Sequence, residues 1–136
     1  LAHPVLDVIA VYLAAAALAG LVMAVVFQTG HCLDTTTFLK PEAGTGDLPG
    51  GWAASQLAGT ADVAPSNRLY TAFTGGLNHH IEHHLFPQAN QLLLPDIAPI
   101  VHRHCATSGV DLVVLPTLSA AVRSHQRLLR RLGRRA

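Results

Sequence analysis

The longest apolar run of the chain lies near its N-terminus. Residues 8–27 form a stretch of 20 positions without a charged side chain. A helix rises about 1.5 Å per residue, so this run would extend roughly 30 Å, the thickness of the hydrocarbon core of a bilayer. The pattern predicts a transmembrane helix over residues 5–30. A secretory signal and a buried helix of a soluble protein are the alternatives, but the first lacks its basic leading region.

The middle of the chain is interrupted too often for a long regular element. Residues 34–68 contain the helix-breaking positions Pro41, Gly44, Gly46, Pro49, Gly50, Gly51, Gly59 and Pro65. We expect residues 31–70 to be mainly a connecting segment, in which 52–57 forms a short helix or a membrane-interface anchor. Residues 67–73 then begin a helix or turn leading to Gly75 and Gly76, where the missing side chains allow a tight bend.

Two further helices are predicted in the last third of the chain. Pro95 suits the first turn of a helix that runs to about Ser108 and stops at Gly109. The next helix begins near Pro116 and ends by Gly133. Its apolar stripe, opposed by arginines, consists of Leu118, Ala121, Val122, His125, Leu128, Leu129 and Leu132. Residues 110–115 favour a strand but are short, and we expect them to stay unpaired. The predicted fold class is all-α.

Composition and charge favour a membrane protein with its C-terminal part in the cytoplasm. Hydrophobic residues make up 50% of the chain and charged residues 12%, whereas a soluble domain has about a quarter charged. The basic residues concentrate in 101–136, where Asp111 is the single acid among Arg103, Arg123, Arg127, Arg130, Arg131, Arg134 and Arg135. Because few aromatic residues accompany it, we expect this basic tail to bind an anionic lipid surface on the cytoplasmic side rather than nucleic acid. A solvated helix face is the alternative.

The densest chemical signal is a cluster of histidines at 79–84. Four of the 9 histidines fall in these six positions. In a helix, His80, His83 and His84 stand at i, i+3 and i+4, so their imidazoles share one face. Imidazole is a common ligand for iron, zinc and copper. The pattern indicates a metal site, with a solvated or core histidine patch as the alternative. His79 and His83 also form an i, i+4 pair, so spacing alone does not choose between His79 and His80.

Three polar residues near these histidines could form hydrogen bonds with the ring nitrogens that do not bind the metal. Metal-bound histidines usually donate their other N–H to an acceptor outside the coordination sphere. Glu82 and Asn78 are candidates for that role within the cluster. Gln28 lies about one turn before His31, which we place just past the end of the first helix. Gln28 could position His31 or a bound water.

The segment Thr74-Gly75-Gly76-Leu77-Asn78 followed by His80-x-x-His83-His84-Leu85-Phe86-Pro87 resembles the third histidine box of the membrane fatty acid desaturases. The resemblance extends to Phe27-Gln28-x-x-His31, to Pro95-x-x-Ala98-Pro99-Ile100-Val101 and to Leu115-Pro116-Thr117-Leu118. It implies that the chain is the C-terminal part of a multi-span helical domain. In this division, 5–30 crosses the membrane, 31–70 connects, and 71–136 forms the histidine box and the helices of a cytosolic cap.

The resemblance also implies a chemistry. In the family, two non-haem irons held by histidines use dioxygen to desaturate a fatty acyl chain on CoA or on a membrane lipid. The implied metal ligands here are His31, His80, His83 and His84. The expected partners are the acyl substrate, membrane lipid and a separate electron-transfer protein, either ferredoxin-like or a haem carrier with its reductase. Some relatives have Gln at the position of His80, which leaves the double-bond position open.

Two histidine boxes that the family carries upstream are not matched in this chain. The other histidines, His3, His102, His104 and His125, are scattered. Four histidines cannot saturate two irons, so we expect the chain to be a fragment that is inactive alone. A membrane hydroxylase with the same diiron chemistry and a non-catalytic truncated remnant are the alternatives to a desaturase.

Overall fold

The computed structural model describes residues 4–134, and His3 and Arg135 lie outside that range. The described residues are mostly helical, as predicted. In chain order the elements are α1 (Val5–His31), α2 (Gly51–Gly59), β1 (Asp62–Val63), α3 (Arg68–Thr74), α4 (His80–Leu85), α5 (Leu94–Thr107), β2 (Val114–Leu115) and α6 (Leu118–Gly133). A single 3-10 turn at Gln91–Leu93 leads into α5.

Helix α1 is slightly longer than predicted and is long and apolar enough to cross a membrane. It includes His31 as its last residue, so the expectation that His31 lies just beyond the helix is wrong. Its most apolar 18-residue window has a mean hydropathy of 2.5 and no buried residue. Only Thr29 and Gly30, in the last turn, are buried. The described chain therefore packs against the end of α1 and leaves its apolar length uncovered.

The segment after α1 holds more structure than a simple connection. Helix α2 occupies the short helix predicted near Trp52, and β1 follows it. Strand β1 pairs in parallel with β2, with Asp62 opposite Val114 and Val63 opposite Leu115. The expectation that 110–115 stays unpaired is therefore wrong. Residues 60–64 are buried, and buried backbone groups require hydrogen-bond partners. Residues 113–115 supply two of them, since the N–H groups of Asp62 and Ala64 donate to the carbonyls of Val113 and Leu115.

A tight bend brings the chain from α3 into α4, as the paired glycines predicted. Gly75 ends α3 with φ 63°, and Gly76 follows with φ 93°, both in the region that favours glycine. A Cβ on Gly76 would also lie 2.3 Å from the carbonyl oxygen of Gln91. Behind α4, Ile81 packs against Val101 and Cys105 of α5. This small core fixes α4 on one side, and its histidine face lies against the end of α1.

Helix α6 is anchored to the chain just after α1. Its buried positions are Ala121, Ser124 and Leu128. The predicted stripe is correct for Ala121 and Leu128, but it missed Ser124 and wrongly included Leu129 and Leu132, each 53% exposed. Ser124 is buried because its hydroxyl donates to Asp34, whose carboxylate also accepts from Arg127. Polar contacts to Asp34 therefore fasten the helix in addition to the burial of Ala121 and Leu128.

Candidate metal centre

Histidines about fifty positions apart in the chain meet where α1 and α4 come together. Nε2 of His31 lies 2.9 Å from Nε2 of His80. The ring centroid of His84 lies 4.7 Å from that of His31 and 4.8 Å from that of His80. One ring nitrogen from each histidine lies within 4.8 Å of the other two. Ligand atoms at right angles around an ion stand about 3 Å apart when each bond is about 2.1 Å, so the His31–His80 spacing fits a shared metal.

The opposite nitrogen of each ring is held by an oxygen acceptor. Nδ1 of His31 lies 3.0 Å from the carbonyl oxygen of Gly59, and Nδ1 of His80 lies 3.3 Å from that of Leu77. Nδ1 of His84 lies 2.8 Å from the side-chain oxygen of Gln56. An oxygen acceptor at Nδ1 places the proton there and leaves Nε2 with its lone pair. All three rings are therefore fixed in the tautomer that binds metal through Nε2.

A glycine makes the approach of α1 to α4 possible. A Cβ built on Gly30 would lie 2.7 Å from Cδ2 and 2.9 Å from Nε2 of His80. Any larger residue would push the His80 ring away from His31. Close backbone approach, rather than an unusual backbone angle, is the reason for glycine at this position.

Burial keeps the central rings neutral. Desolvation, together with the neighbouring rings of His31, His84 and His83, lowers the pKa of His80 to about 3. Desolvation, with His31 and His83 nearby, lowers the pKa of His84 to about 4. A neutral imidazole is the form that binds a metal, and a protonated one does not. At neutral pH these two rings are thus already in the ligand form.

A sequence comparison identifies the protein family. The sequence profile of the family described as fatty acid desaturase matches residues 1–115 of the chain. The chain belongs to the fatty acid desaturase family. Proteins of this family are oxidoreductases, and a set of histidines that could hold a metal ion accords with that chemistry.

Several curated desaturases are similar to most of the chain. The acyl-lipid (8-3)-desaturase of Physcomitrium patens is 39% identical over 125 residues, which cover 92% of this chain and 26% of that protein. The sn-1 linoleoyl-lipid 6-desaturase of Synechocystis sp. is 36% identical over 115 residues, which cover 85% of this chain and 32% of that protein. Fatty acid desaturase 3 of Homo sapiens is 46% identical over 72 residues, which cover 52% of this chain and 16% of that protein. The chain spans about a quarter to a third of the length of the first two relatives. No solved structure shows a significant match.

The remaining histidines of the cluster occupy different positions. The ring centroid of His83 lies 5.7 Å from those of His80 and His84, at the edge of the converging group. His83 does not join the set of nitrogens within 4.8 Å. His79 is 4% exposed, and both of its ring nitrogens lack a hydrogen-bond partner. Burial lowers the pKa of His79, and its ring nitrogens do not join the set formed by His31, His80 and His84. The geometry thus favours the register in which His80, not His79, belongs to the histidine face.

In the described part of the chain, the three polar residues singled out in the sequence make no hydrogen bond to the rings of the converging histidines. Asn78 is buried and its amide donates to the carbonyl of Val63 and the hydroxyl of Thr71, which fixes the bend before α4. Gln28 is exposed and lines a groove beside α6. The side chain that does hold one of these rings is Gln56, on His84, and the sequence analysis missed it. It lies 28 positions before His84, and nothing in its neighbourhood signals a role.

Glu82 belongs to a second polar group on the other side of α4. Asp62, Glu82 and His102 each offer a ligand atom within 4.8 Å of the other two. Burial, with the charge of Asp62 beside it, raises the pKa of Glu82 to about 8. His102, one of the histidines treated as scattered, lies 3.1 Å from Asp62 through Nε2. This group is separated from the histidine face, because Glu82 lies two positions from both His80 and His84 on the helix.

Proposed function

We propose that this chain forms part of the diiron centre of a membrane-bound acyl-lipid desaturase. The observation that carries the proposal is the convergence of His31, His80 and His84, each with Nδ1 on an oxygen acceptor and Nε2 turned inward. Imidazole nitrogens are suitable ligands for non-haem iron. In this proposal these three residues hold one iron, and His83, at the edge of the group, contributes to the second.

Iron bound at this site would supply the activation of dioxygen needed to remove two hydrogens from a saturated acyl segment. The residues of the chain do the positioning. Gln56, Gly59 and Leu77 orient the three rings, so that little reorganisation is needed when the metal binds. The low pKa values of His80 and His84 keep both lone pairs available without the release of a proton.

The proposed location is the cytoplasmic surface of a membrane crossed by α1. The exposed apolar length of α1 requires a lipid or protein environment, and its backbone hydrogen bonds are satisfied within the helix. Because the histidine site lies at the end of this helix, the metal would sit just outside the hydrocarbon. Arg127 of α6 binds Asp34, just after that same end of α1, so the basic helix lies there, which favours the cytoplasmic side.

The proposed substrate is a fatty acyl chain carried by a membrane lipid. Both of the longer-matching relatives described above are named for acyl-lipid substrates. Electrons would come from a separate carrier, ferredoxin-like or haem-containing, at the cytoplasmic face. The remaining ligands would come from the histidine boxes that the family places before the region matched here.

Product analysis tests this proposal. The intact protein, produced in a host membrane with a matching electron donor, should convert labelled acyl lipids to products with one added double bond. Mass loss of two hydrogens without oxygen incorporation is the expected result. A gain of one oxygen atom would assign a hydroxylase, and unchanged lipids in the presence of bound iron would assign a non-catalytic protein.

A further inference from the structure

The face of α4 opposite the histidines carries a buried polar group that the proposed desaturase chemistry does not use. It consists of Asp62 from β1, Glu82 from α4 and His102 from α5. Both carboxylates have side chains that are 0% exposed, and the His102 side chain is 32% exposed. Three different elements thus place two acids and one imidazole at a single buried point.

The hydrogen bonds within this group satisfy both oxygens of Asp62 and leave both oxygens of Glu82 unsatisfied. Oδ1 of Asp62 accepts the backbone N–H of Ile81, and Oδ2 lies 3.1 Å from Nε2 of His102. Both carboxylate oxygens of Glu82 lack a hydrogen-bond partner. Nε2 of His102 approaches Oε1 of Glu82 to 3.4 Å, but its alignment is not that of a hydrogen bond. A buried carboxylate without partners is costly unless a cation or a proton compensates it.

We propose that Asp62, Glu82 and His102 bind a divalent transition-metal ion, with Mn²⁺ or Zn²⁺ as suitable species, at a site distinct from the histidine centre. Carboxylate oxygens and one imidazole nitrogen form a donor set that such ions accept. The ligand atoms lie within 4.8 Å of one another, which an ion bonded at about 2.0–2.2 Å to each can bridge. The double positive charge would offset the two neighbouring carboxylates.

The site has an entry path and a structural consequence. His102 is partly exposed, so an ion and its remaining water ligands can reach the group from the surface. Once bound, the ion would link β1, α4 and α5, which meet only through small contacts. Because α4 carries the histidine box, this second ion would hold the box in place from behind. Metal binding to the folded state alone also raises resistance to unfolding.

The test separates the two sites by substitution in the intact protein, purified in detergent and stripped of metal. His31→Gln with His84→Gln removes two imidazoles from the histidine centre and leaves the second group untouched. Titration of this double variant with Mn²⁺, followed by electron paramagnetic resonance, should show one more bound ion than the same variant that also carries Glu82→Gln. Glu42→Gln, which changes an exposed acid, should leave that ion in place.

Equal Mn²⁺ binding with and without Glu82→Gln would overturn the proposal. It would indicate that Asp62 and Glu82 share a proton instead of a metal ion. A second measurement avoids dependence on the folding of the triple variant. In the double variant, whose second group is unaltered, electron spin echo spectra of bound Mn²⁺ should include a component coupled to a single imidazole nitrogen. The absence of that component would equally overturn the proposal.

Discussion

The side-chain oxygen of Gln56 lies 2.8 Å from Nδ1 of His84, so a residue of α2 orients a ring of α4. The same ring faces His31 at the end of α1. Three helices that are distant in sequence are thus joined at one imidazole. The orientation of a metal ligand depends here on a side chain outside the histidine box.

Replacing Gln56 by Leu should lower metal affinity and activity together. Leu has a similar volume but no acceptor, so His84 would lose its fixed tautomer, and such outer contacts are typically worth about 10–100-fold in affinity or activity. Gln56→Glu retains an acceptor and should be milder. Iron content and product formation measure the effect. Gln28→Leu is the matched control, and an equal loss in that variant would contradict the role assigned to Gln56.

Gly30→Ala should reduce iron binding without preventing membrane insertion. The new methyl group would lie 2.7 Å from Cδ2 of His80 and would force that ring out of the site. Gly20→Ala tests the same change in the same helix, where a Cβ meets nothing within 4 Å. Iron content of the two purified variants makes the comparison. Similar iron loss in both would mean that α1 itself, rather than the His80 contact, is sensitive to alanine.

The sequence predicted those parts of this site that are formed by residues close together in the chain. The spacing of His80, His83 and His84 predicted a shared helical face, and the apolar run predicted α1 almost to its last residue. The structure brings His80 and His84 together with His31 but leaves His83 at the edge. That difference arises because the direction from which α1 approaches decides which histidines of the shared face lie near His31. The spacing of histidines within α4 contains no information about that direction.

The parts that the sequence did not predict depend on contacts between distant segments. Gln56, Asp62 and His102 lie in segments that appeared to be connections or scattered positions. The pairing of β1 with β2 joins residues about fifty positions apart, and neither two-residue strand has a recognisable pattern. Ser124 was missed because a polar residue on a leucine-rich stripe is explained only by its partner Asp34. Tertiary contacts decide all of these placements.

The stability contributed by Asp34 should depend on pH. The Arg127 guanidinium and the Ser124 hydroxyl hold the pKa of the Asp34 carboxyl below its usual 3.8. The folded state therefore binds this proton more weakly than the unfolded state, so the stabilisation is present above pH 3.8 and is lost as the pH falls through the lowered pKa.

Asp34→Asn should accordingly lower the unfolding temperature at neutral pH, with a difference from the unsubstituted protein that shrinks toward acid. Thermal unfolding in detergent between neutral pH and about pH 3 follows this difference. Asp111→Asn, at an exposed position, serves as the control. A difference that stays constant over the whole range would show that the ionised form of Asp34 is not what stabilises α6.

The end of α6 should face the cytoplasm. Positively charged segments next to a transmembrane helix are retained on that side, and α6 carries exposed arginines including Arg130 and Arg131. A cysteine placed at Gly133, in a protein whose Cys32 and Cys105 are replaced by Ala, should resist a membrane-impermeant thiol reagent in intact cells. It should react after the membrane is permeabilised. Labelling in intact cells would reverse the proposed orientation.

The iron content of the purified His31→Gln protein tests the central claim most directly, because His31 is far from the histidine box in sequence and joins it only through the fold. We predict a large fall in iron per protein, matching that of His80→Gln, while His79→Gln retains its iron. The same iron content in His31→Gln as in the unsubstituted protein would contradict the claim that His31, His80 and His84 share a metal.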